Sequence, residues 1–216
     1  MEVTPIGKYW GHLLDGGETT YAGLIYRIPP RLWRPLISIQ KELKVIDPRQ
    51  LYTTPGNFHV SVKGLGYLGD EVDESKYERT LSKIGKIIKE FNSFEIQIRG
   101  LGVFPTGIYA CVKDDNRFQN INERIAQDLR GEVEASAYDA ESFVPHITLA
   151  SFNTKDVSKL LDKVESREMK EIEIGQAGVF EIEAVRTNLI LALGSEETQD
   201  RAFRYIRSFG LGKFSR

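Results

Sequence analysis

Phe58-His-Val-Ser-Val-Lys-Gly64 alternates apolar with polar residues, the pattern of a strand with one face in a core and the other toward something polar. His59, Ser61 and Lys63 fall together on the polar face. The arrangement returns in Val144-Pro-His-Ile-Thr-Leu-Ala150, where His146 and Thr148 share a side. Two strands, each with a histidine and a hydroxyl two residues on, point to a duplicated unit.

The flanking sequence repeats as well. Before the first motif lie a strand over Tyr21–Pro29 and a helix over Leu32–Lys44. After it, Tyr77, Leu81, Ile84, Ile87, Ile88 and Phe91 recur at helical spacing within 73–92. Next come Phe94–Arg99, the run Gly102-Val-Phe104, a Pro105-Thr-Gly107 turn and a strand over Ile108–Lys113. A helix over Arg117–Leu129 opens the second round. The second motif is then followed by a helix over Asp156–Glu165, Glu171–Ile174, the run Gly178-Val-Phe180 and an apolar strand over Asn188–Leu193. A unit present twice suggests two lobes related by a pseudo-twofold rather than a solenoid, which needs at least three repeats. Short turns and helices both join the strands, so antiparallel pairing is expected. The predicted class is α+β: one bilobal domain over 1–216, with motif halves at about 21–113 and 117–193, extensions at 1–20 and 194–216, and a cleft between the lobes.

With 41% hydrophobic and 28% charged residues the chain reads as globular. No apolar run approaches the ~20 residues of a membrane span, and the N-terminus lacks a signal-peptide pattern; a cytoplasmic monomer is expected. The lone cysteine, Cys111, lies in an apolar run and reads as a small buried hydrophobe. A formal net charge of −2 disfavours a protein that grips long nucleic acid by phosphate neutralisation. An RNA end or small nucleotide suits it better as a partner. Arg201, Arg204, Arg207, Lys213 and Arg216 give the last sixteen residues a positive balance, read as a solvated helix face and tail.

Two imidazoles facing each other across a cleft suit an in-line displacement at phosphorus, one taking a proton from the attacking hydroxyl while the other protonates the leaving oxygen. Ser61 and Thr148 would donate to the non-bridging oxygens. Ser and Thr are common, so His-x-Ser/Thr alone is weak; its recurrence within the same order of elements gives it weight. No Gly-x-Ser-x-Gly elbow supports a serine nucleophile. No His-Glu-x-x-His or Cys-x-x-Cys spacing supports a metal site, so metal-independent chemistry without a cofactor is expected. His12 has no hydroxyl two residues on and reads as structural or surface.

Phe58-His-Val-Ser-Val-Lys-Gly-Leu-Gly66 and Phe143-Val-Pro-His-Ile-Thr-Leu-Ala150 resemble the motifs of the 2H phosphoesterases, which include 2′-5′ RNA ligase-like proteins and cyclic nucleotide phosphodiesterases. With the Gly-Val-Phe runs, the resemblance spans roughly 21–193. It implies a bilobal α+β fold and cleavage or formation of RNA 2′,3′-cyclic phosphates or 2′-5′ linkages, with His59 and His146 catalytic and Ser61 and Thr148 on the phosphate. It also implies that His146 activates water and His59 protonates the leaving ribose oxygen. Ligase-like members place an arginine just after the second motif's Leu-Ala; this chain has Ser151 there, and Lys63 is the candidate replacement for that anion contact. A binding module that holds an RNA end in the same cleft without turnover is the alternative.

Overall fold

The computed structural model describes residues 2–9, 20–69, 72–133 and 143–213. His12 lies outside them. The described strands are β1 (Thr20–Arg27), β2 (Leu51–Tyr52), β3 (His59–Tyr67), β4 (Phe94–Phe104), β5 (Gly107–Lys113), β6 (His146–Ser151), β7 (Glu173–Val179), β8 (Glu181–Asn188) and β9 (Phe203–Gly210). They form one sheet in the order β7-β4-β5-β6-β3-β1-β8-β9, with β2 paired to β6. Every ladder is antiparallel.

The sheet divides at the seam between the two histidine strands, where Val60 bridges Ile147 as the single paired position. One lobe holds β3, β1, β8 and β9, and the other holds β6, β5, β4 and β7. Exchanging β3 with β6, β1 with β5, β8 with β4 and β9 with β7 maps one strand order onto the other. The lobes are therefore not the two halves of the sequence: each draws strands from both, which binds the halves into one α+β body.

Helices cover the face opposite the histidines. Tyr77–Ile88 and Arg117–Asp128 pack behind the first lobe, and Trp33–Ile46, Ser158–Glu165 and Arg167–Glu171 behind the second. Helix Tyr77–Ile88 shows why it sits there: Tyr77, Leu81, Ile84, Ile87 and Ile88 are buried along one stripe, and full burial of such an aliphatic side chain contributes about 1.5–3 kcal/mol. Val60, Val62, Ile147 and Leu149 bring the histidine strands into the same core.

Both histidine strands carry a β-bulge at the same place. Ile25 pairs Ser61 while the preceding Leu24 pairs Lys63, so Val62 is the extra residue on β3. Tyr109 pairs Thr148 while Ile108 pairs Ala150, so Leu149 is the extra residue on β6. A bulge inserts one residue and shifts the alternation of faces. Lys63 consequently joins Val60 on the core face, only 2% exposed, as its counterpart Ala150 does in the other lobe. The expectation that Lys63 shares the face of His59 and Ser61 is thus corrected.

Three further expectations change. The apolar run after Asn188 is a short helix, Leu189–Ala192, with the Asn188 side chain accepting from Leu191 N; a continuous apolar run does not distinguish strand from helix, and the asparagine N-cap was the available signal. Within the basic C-terminal segment Phe203–Gly210 forms strand β9 rather than a helix, and Arg216 lies outside the described residues. A bulge at Ile206, between Val185↔Tyr205 and Ala184↔Arg207, puts Arg204 and Arg207 on one face at a spacing that imitates a helix, and Arg207 pairs with Glu78 of helix Tyr77–Ile88 at 2.8 Å. Finally, the two Gly-Val-Phe runs are not equivalent: Phe104 ends β4 inside the site described below, whereas Phe180 is 68% exposed between β7 and β8.

Candidate active site

The Val60–Ile147 bridge sets the site's geometry. In an antiparallel pair the flanking positions face each other in turn, which sets His59 across from Thr148 and Ser61 across from His146 on the face opposite the core. The two histidines are then diagonal neighbours, and such pairs lie roughly 7–8 Å apart with their β-carbons somewhat closer. Each imidazole has the other motif's hydroxyl beside it across the strand gap. Four of the five residues expected at the site share this block; Lys63 does not.

Each ring is held the same way. His59 Nδ1 lies 2.7 Å from Asn57 O, and His146 Nδ1 lies 2.7 Å from Val144 O. A carbonyl only accepts, so Nδ1 carries the proton and the neutral ring keeps its lone pair on Nε2. Asn57 is itself fastened: its Nδ2 donates to Gln199 O at 2.7 Å and to Thr54 Oγ1 at 3.0 Å, and Thr54 N donates to Gln199 Oε1 at 3.2 Å. The segment just before β9 therefore braces the turn that orients His59.

Aromatic rings flank both histidines. Phe203 meets His59 edge-on at 5.1 Å, while Phe104 and Tyr109 meet His146 edge-on at 4.8 and 5.4 Å. Phe104 and Tyr109 stack on each other at 4.2 Å, and Gly102 makes room, since a Cβ there would come within 2.4 Å of Tyr109 Cζ. Outboard of His59, Arg27 pairs with it across β1 and β3, and its guanidinium is taken up by Glu183 Oε2 at 2.9 and 3.0 Å and by Gly56 O. Cys111 occupies the corresponding position beside His146; it is half-buried rather than a core residue, because the alternation that buries Ala110 and Val112 turns Cys111 to the site face. Strand alternation in Ile108–Val112 was the signal for Tyr109 and Cys111. No local signal marked Phe203 or Arg27.

Burial sets the electrostatics. Desolvation drives the His59 pKa down to about 4, against the opposing Asn57 hydrogen bond and with smaller help from the charges of His146 and Arg27. His146 is lowered too, by burial, with the Val144 hydrogen bond opposing. Because the folded His59 pKa lies below its ordinary 6.5, the native state binds fewer protons than the unfolded chain between those values, so stability rises with pH there and is lost as pH falls through the window. Urea midpoints measured from pH 7 to pH 4.5 are expected to fall more steeply for the wild type than for His59→Asn. An unchanged slope in the variant would assign the acid sensitivity to other groups.

Among the described residues no cluster of three or more His, Cys, Asp or Glu side chains could hold a metal ion, and no helix is long and apolar enough to cross a membrane. The model of the 2′-5′ RNA ligase superfamily matches residues 29–186. The chain is 26% identical over 172 residues to an RNA 2′,3′-cyclic phosphodiesterase of Methanothermobacter thermautotrophicus, covering 77% of this chain and 88% of that protein. It is 25% identical over 153 residues to an RNA 2′,3′-cyclic phosphodiesterase of Aquifex aeolicus, covering 67% and 77%. Among solved structures, TT0787 of Thermus thermophilus superposes with a TM-score of 0.66 at 17% identity, covering 90% of this chain and 99% of that one. E. coli LigT complexed with 3′-AMP superposes with a TM-score of 0.64 at 13% identity, with coverages of 90% and 99%. These two structures establish the likeness of fold.

Proposed function

The chain belongs to the 2′-5′ RNA ligase superfamily, and from that premise we propose that it is a phosphodiesterase that opens 2′,3′-cyclic phosphates on RNA ends or nucleotides, with His59 and His146 as its acid–base pair. The carrying observation is the diagonal pair of Nδ1-tethered imidazoles with Ser61 and Thr148 between them. One Nε2 takes a proton from water as its oxygen attacks phosphorus. The other imidazole, protonated, delivers its proton to the departing ribose oxygen, leaving a ribose hydroxyl and a phosphomonoester. The hydroxyls of Ser61 and Thr148 donate to the non-bridging oxygens as charge builds there. With the 5′-hydroxyl of a second end in place of water as the attacking group, the same proton transfers would join the two ends through a 2′-5′ linkage, the ribose 3′-oxygen departing as a hydroxyl. The names of the two curated relatives agree with this substrate.

Turnover is favoured over simple binding by the protonation state of the site. With His59 pushed to about 4, an empty site near neutral pH presents an uncharged imidazole, a poor anchor for an anion but a suitable proton acceptor. We extend the reading to a monomer acting in the cytoplasm. The test is a panel of nucleoside 2′,3′-cyclic phosphates, 3′,5′-cyclic nucleotides and 2′-5′-linked dinucleotides assayed in excess EDTA. Turnover of the 2′,3′-cyclic phosphates should survive chelation, because every proposed acid, base and anion donor is a side chain. Loss of activity in EDTA with recovery on adding a divalent ion would remove the two-histidine mechanism. Binding of the whole panel without turnover would leave the module reading.

A further inference from the structure

At each bulge on the histidine strands, the carbonyl of the extra residue accepts a hydrogen bond from a buried side-chain amide. Val62 O accepts from Asn122 Nδ2 at 2.7 Å. Leu149 O accepts from Gln40 Nε2 at 2.7 Å and also from Thr53 N at 3.0 Å. Both amides are buried, Asn122 1% and Gln40 6% exposed. Asn122 lies on helix Arg117–Asp128, which precedes β6 but clamps β3; Gln40 lies on helix Trp33–Ile46, which precedes β3 but clamps β6. The two contacts are thus exchanged by the same pseudo-twofold that exchanges the lobes.

Buried amides in a hydrophobic layer are costly unless satisfied. Asn122 Oδ1 has no hydrogen-bond partner among the described residues, so this position carries an unpaired oxygen for the sake of its N–H. Gln40 uses its Nε2 twice, donating also to Thr53 O at 2.8 Å. The bulged residues immediately follow Ser61 and Thr148, and a bulge aims its neighbours' side chains. We propose that Asn122 and Gln40 are a matched pair of positioning residues: Asn122 fixes His59 and Ser61, and Gln40 fixes His146 and Thr148, in register with the phosphate. This rests on the phosphodiesterase reading above, since what the clamps position is the reacting geometry.

The expected signature is kinetic and specific to one strand. Misplacing a reacting group by about 1 Å can cost on the order of 10²-fold in rate. Asn122→Leu and Gln40→Met should therefore each lower kcat by about tenfold to 10²-fold on a 2′,3′-cyclic nucleotide, with KM changed far less. In double-mutant cycles, the Asn122→Leu loss should persist in full in a Thr148→Ala background and shrink in Ser61→Ala, where only the part acting through His59 is left. The Gln40→Met loss should behave the opposite way. Equal factors in both backgrounds, or unchanged kcat in folded variants, would overturn the positioning role while leaving the phosphodiesterase reading intact; a wild-type chain inactive on every diester would overturn both. Should Asn122→Leu fail to fold, Asn122→Asp keeps the test open. Its carboxyl donates to Val62 O only when protonated, so its kcat relative to wild type should climb as pH is lowered. A flat ratio refutes the clamp.

Discussion

Replacing either His59 or His146 by alanine is expected to lower kcat by about 10²–10⁴-fold, the range for losing a general acid or base. Each ring is one end of a proton path across the same phosphorus, and neither has a neighbour able to take its place. Around His59 the groups at hand are the Phe203 ring, the Thr148 hydroxyl across the seam and an Arg27 already engaged by Glu183. Around His146 they are Phe104, Tyr109 and Cys111. Burial raises the pKa of Tyr109 and Cys111 above their ordinary values, so both stay protonated near neutrality and neither can serve as a base. Because the pair acts as a unit, the double variant should be little worse than either single one. Urea midpoints separate this from a folding defect, since removing a half-buried, desolvated imidazole leaves the Val60–Ile147 core face untouched. A single variant with near wild-type turnover would take that histidine out of the mechanism.

How much of this was legible in the sequence follows from the range over which each signal acts. Alternation is local, so His59 with Ser61 and His146 with Thr148 could be assigned to common faces, and the repetition of their setting pointed to paired lobes. The bulge at Val62 is not local. Val-Ser-Val-Lys continues the period-two pattern without a break, and only the pairing with β1 shows that Lys63 has turned inward. The bulge at Ile206 misleads in the other direction, giving a strand the spacing of a helix. Everything that braces the site arrives from far along the chain: Gln199 reaches the turn before His59, Glu183 holds Arg27, and Gln40 reaches the carbonyl of Leu149. Such partners carry no periodic signature. The exchange of strands between halves had the same cause, because a repeat in sequence does not specify whether its copies fold side by side or interleave.

Division of labour between the histidines should appear as a rescue. Family resemblance makes His146 the base and His59 the acid for opening a 2′,3′-cyclic phosphate, and the near-symmetry of the block does not choose. Its departures from symmetry bear on the question only for the empty site: burial, with Arg27 nearby, holds His59 neutral, whereas an arriving phosphate anion favours the imidazolium that an acid must become. The kcat/KM profile, which reports the free enzyme, should then have its optimum on the acid side of 6.5. Replacing a ring-bridging oxygen of the substrate by sulfur separates the two roles. A thiolate departs with little need of a proton, given a thiol pKa of about 8.5, so an enzyme lacking its acid loses much less on that substrate. Either ribose oxygen can be the one that leaves, so both the 2′-thio and 3′-thio cyclic phosphates are required. On the matching analogue His59→Ala should recover most of its loss, on the order of 10²-fold, while His146→Ala, still without a base for water, should stay slow. Recovery of His146→Ala instead would reverse the assignment. If neither variant recovered on either analogue, the histidines would not be splitting proton transfer in this way, and leaving-group protonation would have to come from elsewhere in the cleft.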